Sequence, residues 1–118
     1  MTCSCNGGCL FIGATPTHHY TFPAAYYELE KICITYAQDG QIVLEKTKDD
    51  LEFLDSYTIN NVNYYPSILK LSQEDTYKFD GRKRKYCMQV KAKTYSGEVI
   101  ESPIRYYNVE GALNKEVL

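Results

Sequence analysis

The stretch RKYCMQVKAKTYSGEVIESPIRYY, Arg84 to Tyr107, decides the fold. Tyr86, Met88, Val90 and Ala92 alternate with Lys85, Cys87, Gln89, Lys91 and Lys93. A period of two places the first set on one side of an extended chain and the second on the other, the mark of a strand with one face in a core. Ser96-Gly97 then reads as a two-residue turn, because glycine reaches positive φ at no steric cost. Beyond it Val99, Ile100, Ile104 and Tyr106 continue as a returning strand, so the whole stretch is predicted to be a long β-hairpin.

Working outward, Leu29 to Ala37 repeats the pattern, with Ile32, Ile34 and Tyr36 predicted inward and Lys31, Cys33 and Thr35 outward. Asp39-Gly40 is a hairpin turn signal, and Ile42 to Lys46 returns with Ile42 and Leu44 predicted inward. Thr17 to Phe22 is a short strand ended by Pro23, and Ala24 to Glu30 is a helical turn or loop. Leu51, Phe53 and Leu54 suggest a short irregular strand, and Asn60-Asn61 a turn, since asparagine tolerates positive φ. Ser67 to Leu71 is a strand with Leu69 and Leu71 inward. Ser72 followed by Asp75 reads as the capped start of one helical turn, and Asp80-Gly81 ends that turn.

Six to seven short strands at intervals of about ten residues, with one helical turn, predict an all-β, antiparallel, immunoglobulin-like sandwich. The sandwich is assigned to residues 16–109, flanked by a Cys/Gly-rich flexible arm over 1–15 and a tail over 110–118. At 118 residues the chain forms one domain.

Composition narrows function by exclusion. A net charge of −2 recruits no nucleic acid, and no apolar run approaches the roughly 20 residues that span a bilayer. With no basic n-region or long apolar segment at the start, the chain is expected to remain in a cytoplasm with its five cysteines reduced. Cys33 and Cys87 invite comparison with the immunoglobulin inter-sheet disulfide. Both are out of phase with the core positions beside them, which argues against that bond. Cys3, Cys5 and Cys9 are candidate metal ligands, but a closed zinc site needs four donors and usually paired C-x2-C units. No cofactor is expected.

Other constellations are weaker. His18 and His19 point to opposite faces of a strand, so at most one could complete a metal set with the cysteines of the arm, and no nucleophile motif lies near them. Asp49 and Asp50 likewise diverge and make no acid–base dyad. Arg82-Lys83-Arg84-Lys85 reads as an exposed strand entry that discourages mispairing. There is no phosphate-binding loop and no nucleophile motif, and the chain is not expected to be an enzyme. Twelve Tyr with no Trp is the unusual figure. Tyrosine favours strands, and it also supplies rigid contact area at interfaces. The pairs Tyr26-Tyr27, Tyr64-Tyr65 and Tyr106-Tyr107 are interface candidates, together with Leu113, Val117 and Leu118 in the tail.

Gly13-Ala14-Thr15-Pro16-Thr17, Ile34-Thr35-Tyr36-Ala37-Gln38-Asp39-Gly40 with its return through Lys46, Leu71-Ser72-Gln73-Glu74-Asp75-Thr76 and Asn114-Lys115-Glu116-Val117-Leu118 together resemble small structural proteins of tailed bacteriophages and prophages. The layout is similar to the N-terminal domain of phage baseplate upper proteins over residues 13–118. It departs at the Cys-rich start and at Tyr57 to Pro66. The resemblance implies a virion component in tail, baseplate or head decoration, assembled in the host cytoplasm. Its partners would be other virion proteins and copies of itself, with no nucleic acid or membrane. Two alternatives stay open: a ligand- or glycan-binding module using exposed Tyr, and a metal- or thiol-linked protein using the N-terminal cysteines.

Overall fold

A computed structural model describes residues 9–111. Ten strands run in chain order: β1 (Cys9–Phe11), β2 (Thr17–Phe22), β3 (Leu29–Gln38), β4 (Gln41–Thr47), β5 (Leu51–Phe53), β6 (Tyr57–Ile59), β7 (Val62–Lys70), β8 (Lys85–Thr94), β9 (Val99–Glu101) and β10 (Arg105–Glu110). One helical turn, α1 (Gln73–Tyr77), lies between β7 and β8, and 3₁₀ turns span Tyr26–Glu28 and Lys48–Asp50. One sheet has the order β1-β10-β8-β3-β4 with β9 also on β8, and the other β2-β7-β5 with β6 on β7. The two pack into an all-β sandwich. With β2, β3, β4, β5, β7, β8 and β9/β10 in the roles of B, C, C′, D, E, F and G, this is the immunoglobulin strand order.

The alternation in the deciding stretch sets the core. Tyr86, Met88 and Ala92 are buried, and Lys91 and Lys93 are exposed. Ile32, Ile34 and Tyr36 on β3 are buried with Leu44, Leu69, Leu71, Phe22 and Phe79. Cys33 and Cys87 lie on β3 and β8, adjacent strands of one sheet, and both are free and half-buried. Neither reaches across the sandwich.

Several expectations change in detail. The return strand of the hairpin is broken at Ser102–Ile104, where Pro103 cannot donate to the ladder. The register there gains one residue, so Lys91 faces Glu101 while Met88 faces Arg105. The turn holds three residues rather than two: Thr94 N–H donates to the Glu98 carbonyl at 2.9 Å, and Gly97 takes φ +95°. That is the type of loop closed by a left-handed glycine. Ile42 is 62% exposed, not inward. A bulge puts Tyr36 opposite Leu44 but Ala37 opposite Ile42, leaving Val43 as the extra residue that turns Ile42 outward.

The sheets are not wholly antiparallel, since β1 pairs parallel with β10. This strand falls inside the segment read as an arm, and Leu10 is fully buried in the core. Residues 13–14 are held by α1, with Gly13 N–H donating to Thr76 Oγ1 at 2.9 Å and Gln73 Nε2 to the Gly13 carbonyl at 2.8 Å. The capped turn forms as predicted: Asp75 N–H donates to Ser72 Oγ and Ser72 N–H to Asp75 Oδ2. Residues 1–8 and the tail candidates Leu113, Val117 and Leu118 lie outside the described residues.

Candidate interaction surface

The strand register divides the sandwich into two ends. One carries the Asp39-Gly40 turn, α1 and the entry to β8. Its charges pair locally, with Asp80 bound by Arg82 at 3.1 Å and Asp39 by Lys83 at 3.5 Å. The Arg82 guanidinium and backbone hydrogen bonds hold the Asp80 carboxyl below the usual range. Half of the Arg82–Lys85 basic run is thereby engaged with neighbouring carboxylates. Gln38 ties this loop to the core, its side chain accepting from Asp80 N–H at 2.8 Å and donating to the Asp80 carbonyl at 3.1 Å.

The opposite end is apolar. Of the large hydrophobic side chains exposed among the described residues, Tyr26, Tyr27, Leu54, Tyr57, Ile59, Val62, Tyr95 and Val99 sit there, and only Phe11, Ile42, Ile104 and Tyr106 lie elsewhere. Three elements bring them together. The 3₁₀ turn after Pro23 presents Tyr26 and Tyr27, with Tyr26 edge-on to Phe53 at 5.1 Å and under the Lys48 ammonium at 4.0 Å. That cation over the ring steadies its position. The β8–β9 turn presents Tyr95, which with Tyr27 walls a shallow cleft of about 390 Å³. The β6–β7 hairpin begins where Phe22 pairs with Tyr65 and continues past that end of β2.

This hairpin has two chemically different faces. Tyr57 pairs with Tyr64 and Ile59 with Val62, so all four side chains share a face, while Thr58 and Asn63 share the other and hydrogen-bond at 2.7 Å. Tyr57 stacks on Tyr64 at 5.4 Å. The turn is Asn60-Asn61 with φ +51° and +63°, as the sequence predicts. Every residue from Leu54 to Asn63 is exposed. A two-stranded ribbon is marginal alone in water, and an uncovered apolar face on it marks a contact surface.

The predicted Tyr pairs divide accordingly. Tyr26 and Tyr27 are both exposed, because they occupy a 3₁₀ turn rather than a strand. Tyr64 and Tyr65 are half-buried. Tyr106 is 70% exposed, whereas Tyr107 turns in and packs on Tyr86 at 5.3 Å. Tyr95, Ile59 and Val62 were not singled out by sequence. The Ile59/Val62 pair is legible only once Asn60-Asn61 is taken as the turn of a hairpin.

Between the sheets, Tyr36 fills the place held in antibody domains by a tryptophan packed on a disulfide. Its hydroxyl lies 2.7 Å from both His18 Nδ1 and Tyr20 Oη, joining β3 of one sheet to β2 of the other. Burial pushes the Tyr20 phenol up to about 12 and drives Tyr36 and Tyr86 higher still, so all three stay protonated. Burial likewise lowers His18, with a smaller push from His19. Beside this junction is a cleft of about 450 Å³ along β2, floored by Met88, Val90 and Ala92.

No group of three or more His, Cys, Asp or Glu among the described residues is placed to hold a metal ion. Cys9 is disulfide-bonded, in contrast to the expectation of reduced thiols, and Cys3 and Cys5 lie outside the described residues. Among the described residues, no helix is long and apolar enough to cross a membrane. No protein-family model matches the chain, and no curated protein matches it in sequence.

Proposed function

We propose that this chain is a non-enzymatic structural module working by multivalent protein contacts, as a component of a tailed-phage virion in tail, baseplate or head decoration. The observation that carries the contact reading is the gathering of exposed aromatic and aliphatic side chains at one end of the sandwich, with the one-sided Tyr57/Ile59/Val62/Tyr64 hairpin at its edge. Rigid tyrosines on short turns give contact area at low entropy cost. The virion setting rests on the sequence resemblance. Its partners are copies of itself and other virion proteins, met in the host cytoplasm.

Light scattering across a concentration series, under reducing conditions, tests the reading. The expected result is a discrete closed oligomer for the native chain and loss of that mass in the double variant Ile59→Asp/Val62→Asp, with its strand circular dichroism intact. A native chain that stays monomeric at every concentration overturns self-assembly through this end. A second reading, glycan binding, is favoured by one feature: Tyr27 and Tyr95 flank a cleft whose polar lining includes Glu28, Ser96 and Glu98. A glycan array without signal above background removes it.

A further inference from the structure

We propose that the His18–Tyr36–Tyr20 junction is an acid-sensitive latch between the two sheets, closed when His18 carries its hydrogen on Nε2 and opened by a proton on Nδ1. The argument is a count of hydrogens. Three polar atoms stand in a line with Tyr36 Oη in the middle, 2.7 Å from His18 Nδ1 on one side and from Tyr20 Oη on the other. The line has two contacts, and each takes one hydrogen. The two phenols supply two. The arrangement that uses both phenolic hydrogens within the line has Tyr20 donating to Tyr36 and Tyr36 donating to His18 Nδ1, with His18 as the Nε2–H tautomer.

A proton on Nδ1 brings a third hydrogen to a line with two places. Either Tyr36 accepts from both neighbours and its own hydroxyl hydrogen is left over, or the line reverses and that of Tyr20 is left over. The first strands a donor on fully buried Tyr36, which is costly where water cannot replace the partner. The second breaks the arrangement that uses both phenols and turns the Tyr20 hydrogen toward the cleft that Tyr20 lines. Among the described residues the imidazolium also gains no counter-ion. Around His18 stand Tyr36 from β3, Tyr86 from β8 and Tyr107 from β10, all phenols, with Leu69 opposite on β7 and His19 beside it on β2. His19, which lowers it further, is a like charge when protonated. Because β2 is the end strand of its sheet, it is held on one side only, by β7, and this junction is its polar tie to the other sheet. Opening the latch frees β2 toward the cleft beside it.

Two measurements on the full chain decide the matter. Nitrogen-15 NMR of the histidine rings should show His18 as the Nε2–H tautomer at neutral pH and titrating below its ordinary value of 6.5. An Nδ1–H tautomer, or titration at or above that value, overturns the proposal. Urea unfolding between pH 7.5 and pH 5 should show the unfolding constant rising by up to about tenfold per pH unit below 6.5 as the unfolded chain takes the proton that the folded one refuses. His18→Phe should flatten that rise and His19→Gln should keep it. Equal slopes in the native chain and His18→Phe overturn it, and the NMR result stands even if that variant fails to fold.

Discussion

Lys46 Nζ lies 3.0 Å from Asp75 Oδ2, with both side chains less than a fifth exposed, and ties β4 to the helical turn α1. The same carboxylate oxygen accepts the Ser72 backbone N–H at 3.0 Å. Burial opposes its charge, but the Ser72 hydrogen bonds and the Lys46 ammonium outweigh that and hold the Asp75 carboxyl below its usual range. One side chain thus closes the capping box begun by Ser72 and neutralises a partly buried cation.

The two halves of this pair should therefore respond unequally. Asp75→Ala removes the reciprocal half of the capping box, the acceptor of the Ser72 N–H, at about 1 kcal/mol, and strands the Lys46 ammonium, so a total loss of about 2–4 kcal/mol is expected. Lys46→Met leaves the cap in place and should cost about 1 kcal/mol or less, because an apolar replacement strands only a carboxylate that is already hydrogen-bonded. Urea unfolding of both variants checks the order. Equal losses would show that the ion pair, not the cap, dominates. The pH sign also follows. A carboxyl with a lowered folded pKa gives stability that is present above its ordinary value of 3.8 and lost as pH falls through the lower folded value. The acid limb of the native chain should accordingly be steeper than that of Asp75→Ala.

Tyr36→Phe tests the centre of the core without changing its shape. It removes the hydroxyl that His18 Nδ1 and Tyr20 Oη both face, leaving two half-buried polar groups without their partner. A loss of about 2–3 kcal/mol is expected from unsatisfied groups of this kind. Tyr20→Phe removes an end of the line and leaves the Tyr36–His18 contact intact, so it should cost about 1 kcal/mol. Thermal or urea unfolding at pH 7.5 distinguishes the two, and a Tyr36→Phe variant as stable as the native chain would mean that water reaches the junction.

Much of the sandwich is legible in the sequence because period two survives wherever one face is buried. Tyr86/Met88/Ala92 and Ile32/Ile34/Tyr36 fall inward as their alternation requires. What escapes is the effect of one extra residue. The bulge at Val43 sends Ile42 outward, and the shift of register at Pro103 splits one return strand into β9 and β10. A slip of one residue reverses every side chain beyond it, and nothing in local composition announces it. The apolar end was half visible. Tyr26 and Tyr27 carry their own signal, but Tyr95 and Tyr57 join them only through strand pairings far apart in sequence. Leu10 escaped because three residues are too few to show a period.

Cys33 and Cys87 should contribute little. Both are free thiols, half-buried, on adjacent strands of the same sheet, each beside core positions rather than among them. The double variant Cys33→Ser/Cys87→Ser should change stability by less than about 0.5 kcal/mol per site, as for substitutions away from the core. Loss of a native disulfide costs about 2–5 kcal/mol. A drop of that size, seen in unfolding without reductant but not with it, would mean that one of these thiols pairs with another cysteine in solution, since the register sets Cys33 and Cys87 four residues apart along the ladder.

Gly97 makes the last case. It sits in the β8–β9 turn at φ +95°, and a Cβ added there would meet no atom within 4 Å. Crowding is thus excluded as a cost, and Gly97→Ala isolates backbone strain, expected at about 1–2 kcal/mol for a non-glycine residue forced to positive φ. The Asn60-Asn61 turn offers the converse. Both residues already hold positive φ, so Asn61→Gly relieves strain in the folded chain but adds freedom to the unfolded one. Those effects oppose each other, and a change within about 0.5 kcal/mol is expected. Melting temperatures of the two variants check the pair. If Gly97→Ala melts with the native chain, the turn has rearranged to avoid positive φ, and Tyr95 no longer stands opposite Tyr27 across the cleft.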